Sequence, residues 1–374
     1  MKKSRIMCLV GTRPECVKMA PVIRELKNSG WADPIVVSTG QHRDLVRQIM
    51  DLFEIIIDHD LDVMTPNQSL ASLSARIFER LDALLLAEKP DMIIIQGDTT
   101  SVMISSLAAF YRNIAVGHVE AGLRTNNIKR PFPEELNRVV AGVVSDLHFS
   151  PTQRAVENLL SEKKPKDNVY LTGNTVIDAL HDVASRDLPV NYPIDKKRKL
   201  ILVTAHRREN FGEPILEICK ALKSLHDKFD GFEFVYPVHP NPNIHDVVHA
   251  KLGNLDRFHL IPPADYTDLV GLIKNSFIVI TDSGGIQEEA PGLAKPVVVL
   301  REETERPEAV EEGVASLVGA NSDRIIAEVE RLITDSSYYA SMSTGASPYG
   351  DGKAAQRIAE ACRTFLLGSK TNRA

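Results

Sequence analysis

Short apolar runs rich in valine, isoleucine and leucine recur along the chain, each followed by a stretch whose apolar residues lie three and four apart. The first kind suits a strand buried on both faces, the second an amphipathic helix. Their alternation predicts a doubly wound α/β protein built from parallel sheets. Strands are expected over residues 6–10, 35–39, 92–96, 114–119, 147–149 and 169–172, then over 200–204, 234–238, 278–282 and 297–300. Helices are expected over 13–29 and 69–87 among others. Between 185 and 199 the sequence SRDLPVNYPIDKKRK loses both periods and reads as an interdomain linker. The expected division is one Rossmann-like half before the linker and a second after it.

In an open parallel sheet, residues just beyond the carboxyl ends of strands face the ligand crevice. Nearly every predicted strand here delivers polar residues or glycine at that end. Asp98 follows the run at 92–96 and Glu120 the run at 114–119, while Glu134 and Glu135 open a helical segment after Pro133. Crowded carboxylates raise one another's proton affinity, which supplies an acid and a base near neutral pH. The alternative is that they cap helices or pair with Arg124, Arg130 and Arg138. After the first strand, Gly11, Thr12 and Glu15 form a turn with capping-box spacing, and Arg13 and Lys18 follow. Free helix N–H groups with two cations make an anion site; a capped helix with solvated cations is the other reading. Gln41, His42, Arg43 and Asp44 form a further polar cluster after the second strand.

In the second half, Ser283, Gly284 and Gly285 place bare N–H groups where a strand meets a helix, as a phosphate requires. Glu289, one turn further on, would repel phosphate and suits hydroxyls such as those of a ribose. Arg306 offers positive charge opposite that helix. His206 lies beside Arg207 and Arg208, so its charged form is disfavoured until an anion binds, and it suits a leaving phosphate as acid or donor. His239 stands between prolines and carries no assignment from the residues alone, and His59, His181, His226 and His249 are expected on the surface.

With 374 residues there is room for two cores. The formal net charge of −6 excludes partners that rely on bulk positive charge, such as nucleic acid or an anionic membrane. The four cysteines, Cys8, Cys16, Cys219 and Cys362, show no C-x-x-C spacing, so no disulfide framework or metal site is expected. The apolar run at the start is too short for a signal peptide and no run is long enough for a membrane span, which predicts a cytoplasmic protein. No G-x-G-x-x-G follows a strand, leaving a nicotinamide or flavin cofactor without support. Together these residues point to a nucleotide diphosphate ligand, its phosphates on the second half and its reactive group on the first.

With GTRPECVKMAP at 11–21, QHR at 41–43, GDTT at 97–100, GHVEAGLRT at 117–125, PEELNR at 133–138, TGNTVIDAL at 172–180, HRREN at 206–210, YPVHPNPN at 236–243, TDSGGIQEEAP at 281–291, TERPEAV at 304–310 and SPYGDG at 347–352 assembled, the chain resembles the non-hydrolysing bacterial UDP-N-acetylglucosamine 2-epimerases. The resemblance implies a glycosyltransferase-B-type fold: Rossmann-like domains over 1–185 and 186–352 with the active site in a cleft, and a helix over 353–374 that returns to the first domain. It implies a homodimer and cofactor-free interconversion of UDP-GlcNAc and UDP-ManNAc, supplying ManNAc for surface polysaccharide. The reaction it implies eliminates UDP across C1–C2 to give 2-acetamidoglucal and then adds UDP back. Asp98, Glu120 and Glu134 match the family's catalytic carboxylates. Arg13, Lys18, Arg138, His206, Ser283, Gly284, Gly285, Glu289 and Arg306 match positions that bind UDP or assist its departure, with Lys18 and His206 among the catalytic groups. Gln41, Arg76, Glu135, Arg207 and His239 match an allosteric UDP-GlcNAc site, where Asp44 departs from the usual Gln or Glu. Gln96 replaces a usual His and is expected to tune Asp98. Three rival readings are a glycosyltransferase of the same fold, a hydrolysing epimerase and a catalytically silent UDP-sugar-binding protein.

Overall fold

A computed structural model describes residues 3–41, 43–186, 195, 197–304 and 306–371. The chain divides into two compact units, Met1–Ala179 with Tyr349–Ala374, and Leu180–Pro348. The first contains β1 (Ser4–Val10), α1 (Arg13–Asn28), β2 (Ala32–Ser38), α2 (Arg43–Leu52), β3 (His59–Asp60), α3 (Leu70–Glu88), β4 (Met92–Gln96), α4 (Thr100–Tyr111), β5 (Ala115–Val119), α5 (Glu134–Val144), β6 (Leu147–Ser150), α6 (Gln153–Ser161) and β7 (Val169–Leu171), and α7 (Thr175–Ser185) leads out of it. The second contains β8 (Lys199–Thr204), α8 (Glu213–Lys228), β9 (Phe232–Pro237), α9 (Pro242–Leu252), β10 (Phe258–Ile261), α10 (Tyr266–Asn275), β11 (Ser276–Thr281), α11 (Gly284–Gly292), β12 (Val297–Val299), α12 (Pro307–Glu311), β13 (Ala315–Leu317), α13 (Ser322–Thr334) and α14 (Ser336–Met342); α15 (Ala354–Thr371) belongs to the first again.

Both sheets are parallel, in the orders β3-β2-β1-β4-β5-β6-β7 and β10-β9-β8-β11-β12-β13. The order reverses between β1 and β4, and again between β8 and β11, and ligand crevices open at such reversals. Pairing of Cys8 with Ile94 and of Thr204 with Thr281 brings the carboxyl ends of these strands side by side. Gly11 and Asp98 therefore emerge together in the first unit, and His206 and Ser283 together in the second.

The elements follow the apolar pattern where both faces are covered. All five residues of β4 are buried. In α3 the residues Leu73, Ile77, Leu81 and Leu85 form one buried ridge at four-residue spacing. Ser69 starts that helix by accepting the Ser72 N–H (3.1 Å), and Lys89, in the left-handed region, ends it. Three of the four edge strands, β3, β10 and β13, are short, only partly buried and escape the pattern, while the fourth, β7, falls on the expected run at 169–172.

Most of the 185–199 linker lies outside the described residues, as do His42 and Glu305 of the quoted motifs. Asp178 of α7 accepts the N–H groups of Ala354 (3.2 Å) and Ala355 (2.9 Å), satisfying the first turn of α15. That helix packs against α1 and buries Ile358 and Cys362. The expected surface position of His226 is a misreading. It is 6% exposed, held between Asp227 (3.0 Å) and Asp256 (2.9 Å), whose carboxylates make burial of a polar ring tolerable.

Candidate functional site

In the first unit the turn after β1 is fastened by Glu15, whose Oε2 accepts the N–H groups of Gly11 (2.6 Å) and Thr12 (2.9 Å). Its Oε1 accepts the Thr99 hydroxyl (2.7 Å), so the turn after β1 and the turn after β4 share one carboxylate. Only glycine fits at position 11, where a Cβ would lie 2.3 Å from Thr39 Oγ1. Arg13, half-buried at the first residue of α1, has no ion-pair partner among the described residues.

Asp98 sits between Arg138, whose Nη2 is 2.6 Å from Oδ2, and Asn137, whose amide donates to the Asp98 carbonyl (2.9 Å). Glu120 is ion-paired with Lys18 and accepts the amides of Gln96 and Asn174. Its backbone holds φ +65, a left-handed conformation uncommon for a residue other than glycine and frequent at functional sites. Gln96 thus engages Glu120 rather than Asp98, correcting the sequence expectation: its amide reaches across to the end of the neighbouring strand. Glu134 is the first residue of α5 and contributes negative charge toward Asp98.

This crowding changes the acids. Burial raises the Asp98 carboxyl to about 6, with Glu120 and Glu134 adding and Arg138 and Lys18 opposing. Burial raises Glu15 to about 7 against three hydrogen bonds, with Asp98 adding. At about 6, Asp98 is mostly ionised at neutral pH yet basic enough to accept a proton. Beneath them His118, pushed down to about 4 by burial, is neutral and donates Nε2–H to the Gly97 carbonyl (2.8 Å).

In the second unit α11 begins at Gly284 with Ser283 before it, and the Arg306 guanidinium lies across that start. A Cβ on Gly284 would meet it at 2.7 Å, so glycine admits the cation. Arg306 Nε donates to Glu288 (2.7 Å), and Thr304 donates to Gln287 (2.7 Å). Open helix N–H groups beside a guanidinium form an anion site. Glu289 is buried in the same helix and Gly285 is exposed. His206 is exposed, its ring stacked on His239 with centroids 6.0 Å apart. Its pKa is lowered by partial removal from water, with Asp282 opposing and Arg207 and His239 adding.

The remaining predicted residues stand on several elements of the two units. Gln41, after β2, has a buried Oε1 with no hydrogen-bond partner, and Asp44 is exposed in the first turn of α2. Arg76 of α3 donates to the Val63 carbonyl (2.8 Å) and Thr65 (3.1 Å). Glu135 is 1% exposed, accepts the N–H groups of Thr125 (2.9 Å) and Asn126 (3.0 Å), and lies 3.5 Å from Arg138. Arg207 and His239 lie in the second unit. Sequence reasoning missed Asn174 on Glu120 and the buried Asp282 behind His206. Both stand at strand ends, the one available signal.

The sequence profile described as UDP-N-acetylglucosamine 2-epimerase matches residues 24–363. The UDP-N-acetylglucosamine 2-epimerase of Bacillus subtilis (strain 168) is 48% identical over 362 residues, spanning 96% of this chain and 95% of that protein. The crystal structure of UDP-GlcNAc 2-epimerase from Neisseria meningitidis bound to UDP-GlcNAc superposes with a TM-score of 0.86 at 45% identity, covering 96% of this chain and 100% of that one. The S. aureus MnaA–UDP co-structure gives 0.86 at 43% identity, with 97% of each chain covered. At 12% identity, a glycotransferase of kitacinnamycin shares the fold with a TM-score of 0.69, covering 98% of this chain and 100% of that one.

Proposed function

The chain belongs to the UDP-N-acetylglucosamine 2-epimerase family and has UDP-GlcNAc 2-epimerase activity, and on that premise we propose how its residues perform the reaction. The observation that carries the reading is Asp98, raised to about 6 among Glu120, Glu134, Arg138 and Lys18. The nucleotide end of UDP-GlcNAc is taken by Ser283, Gly284, Gly285 and Arg306, with Glu289 toward hydroxyls. Relatives captured with UDP-GlcNAc and with UDP support that ligand class.

A carboxylate removes the C2 proton, the C1–O bond breaks, and its electron pair leaves on the diphosphate, giving 2-acetamidoglucal. Protonation of C2 on the opposite face and attack of the UDP oxygen on C1 complete the inversion. Asp98, Glu120 and Glu134 hold and return the proton. Arg13, Lys18, Arg138 and His206 meet the charge on the departing UDP. Incubating the protein with UDP-GlcNAc in deuterated water and following it by NMR tests this. UDP-ManNAc deuterated at C2 is expected; free ManNAc would replace the reading with hydrolysis, and no deuterium would reject both.

The homodimer implied by the family resemblance finds support in exposed apolar side chains on the adjacent helices α3, α4 and α5: Leu86, Phe110, Tyr111 and Val143. Activation by a second UDP-GlcNAc, through Gln41, Asp44, Arg76, Glu135, Arg207 and His239, is tested by starting from UDP-ManNAc. A lag that added UDP-GlcNAc abolishes is expected. A cytosolic location and a supply of ManNAc for surface polysaccharide complete the proposal. Among the described residues no helix is long and apolar enough to cross a membrane.

A further inference from the structure

Asp282 follows β11 and is 0% exposed, an unusual place for a carboxylate. Its Oδ2 accepts three donors at 2.8 Å: the backbone N–H groups of His206 and Arg207 and the side-chain amide of Asn210. Its Oδ1 is equally buried and accepts no hydrogen bond from the described residues, and His206 Nδ1 lies 3.4 Å away. An oxygen removed from water without a donor is costly, and a donor approaching by about half an ångström would relieve it. The His206 ring, at 41% exposure, has room to make that movement.

We propose that Asp282 is a positioning residue for His206, holding Nδ1–H on its free oxygen so that Nε2 is presented to the diphosphate. The inference rests on the reading of His206 as the group that meets the departing UDP. In the elimination, the electron pair of the C1–O bond passes to the β-phosphate oxygen. Nε2 of the imidazolium gives its proton to that oxygen, and the neutral ring keeps Nδ1–H on Asp282. On re-addition the same proton returns to Nε2. Around the ring, Arg207 and His239 oppose its charge and Asp282 supports it, so the carboxylate together with bound diphosphate makes the imidazolium accessible.

The test is Asp282→Asn, which keeps the shape and the three contacts at Oδ2 but turns an amide donor toward Nδ1. Comparable substitution in a Ser-His-Asp triad reverses the tautomer and costs about 10⁴ in kcat. Here we expect kcat to fall about a hundredfold or more with KM and UDP affinity within about threefold. In ¹⁵N NMR of the full chain, neutral His206 changes from Nδ1–H to Nε2–H. An unchanged tautomer overturns the inference. A reversed tautomer with full activity upholds the positioning and instead removes His206 from the reaction, as would a fully active His206→Asn. Should Asp282→Asn fail to fold, the wild type with UDP decides: a hydrogen-bonded Nδ1–H on His206 supports the inference, and an unprotonated Nδ1 overturns it.

Discussion

Replacing Asp98 with Asn should make the protein more stable and almost inactive, and the pH dependence of that gain follows from the surroundings of the carboxyl. Its pKa is raised from 3.8 to about 6, chiefly by burial. The folded state therefore binds this proton more tightly than the unfolded chain does. Stability is fully present below the unfolded value of 3.8, falls as pH rises through the window up to about 6, and stays lower above it. A rise of two units corresponds to about 3 kcal/mol. Because the side chain is 30% exposed, screening by water reduces the expected cost to about 1–2 kcal/mol. Asparagine resembles the protonated acid and escapes that cost. Urea unfolding of both proteins at pH 4 and pH 7.5 should show nearly equal stability at the lower pH, where the loss has only begun, and a gain of about 1–2 kcal/mol for Asp98→Asn at the higher. Solvent deuterium exchange at C2 should fall at least about a hundredfold while UDP affinity holds. A variant no more stable than wild type at pH 7.5, or a difference that does not close toward pH 4, would refute the electrostatic argument. Undiminished exchange would refute the assigned role.

Arg306→Ala removes the cation lying across the start of α11 and should weaken UDP binding by about tenfold or more in calorimetry; unchanged affinity counts against the site. Glu15→Ala leaves the N–H groups of Gly11 and Thr12 without their acceptor and should cost about 1–3 kcal/mol in chemical unfolding, with turnover reduced because Thr99 is released too. Tyr111→Arg places charge on the exposed apolar face of α4 and should shift sedimentation toward the monomer; an unaltered profile locates the dimer contact elsewhere.

Central strands were legible because a strand covered on both faces must be apolar along its length, as β4 is. The placement of Asp98, Glu120 and His206 just beyond strand ends was legible because the apolar run before each of them stops there. The partners of those residues were not. Asp282 gathers donors from positions 72 to 76 residues earlier, and Asn174 reaches Glu120 from 54 residues away. No local spacing encodes such pairings. His226 misled for the same reason, since Asp256 lies 30 residues beyond it. Gln96 was assigned to Asp98 by proximity in sequence, whereas strand pairing sets it beside Glu120. Of the edge strands, β3, β10 and β13 were hidden because partial burial permits polar residues and leaves no uninterrupted run, whereas β7 kept the run at 169–172.

The return of α15 to α1, fastened at its start by Asp178, makes one unit an insertion inside the other. During synthesis the inserted segment has all its residues in hand while its host still lacks Ile358 and Cys362, so the later-encoded body is free to finish first. A released chain ending before residue 349 would accordingly keep every residue of the inserted unit and leave the other with the flank of α1 uncovered. Loss of the last two dozen residues would then damage the region farthest from it in the gene.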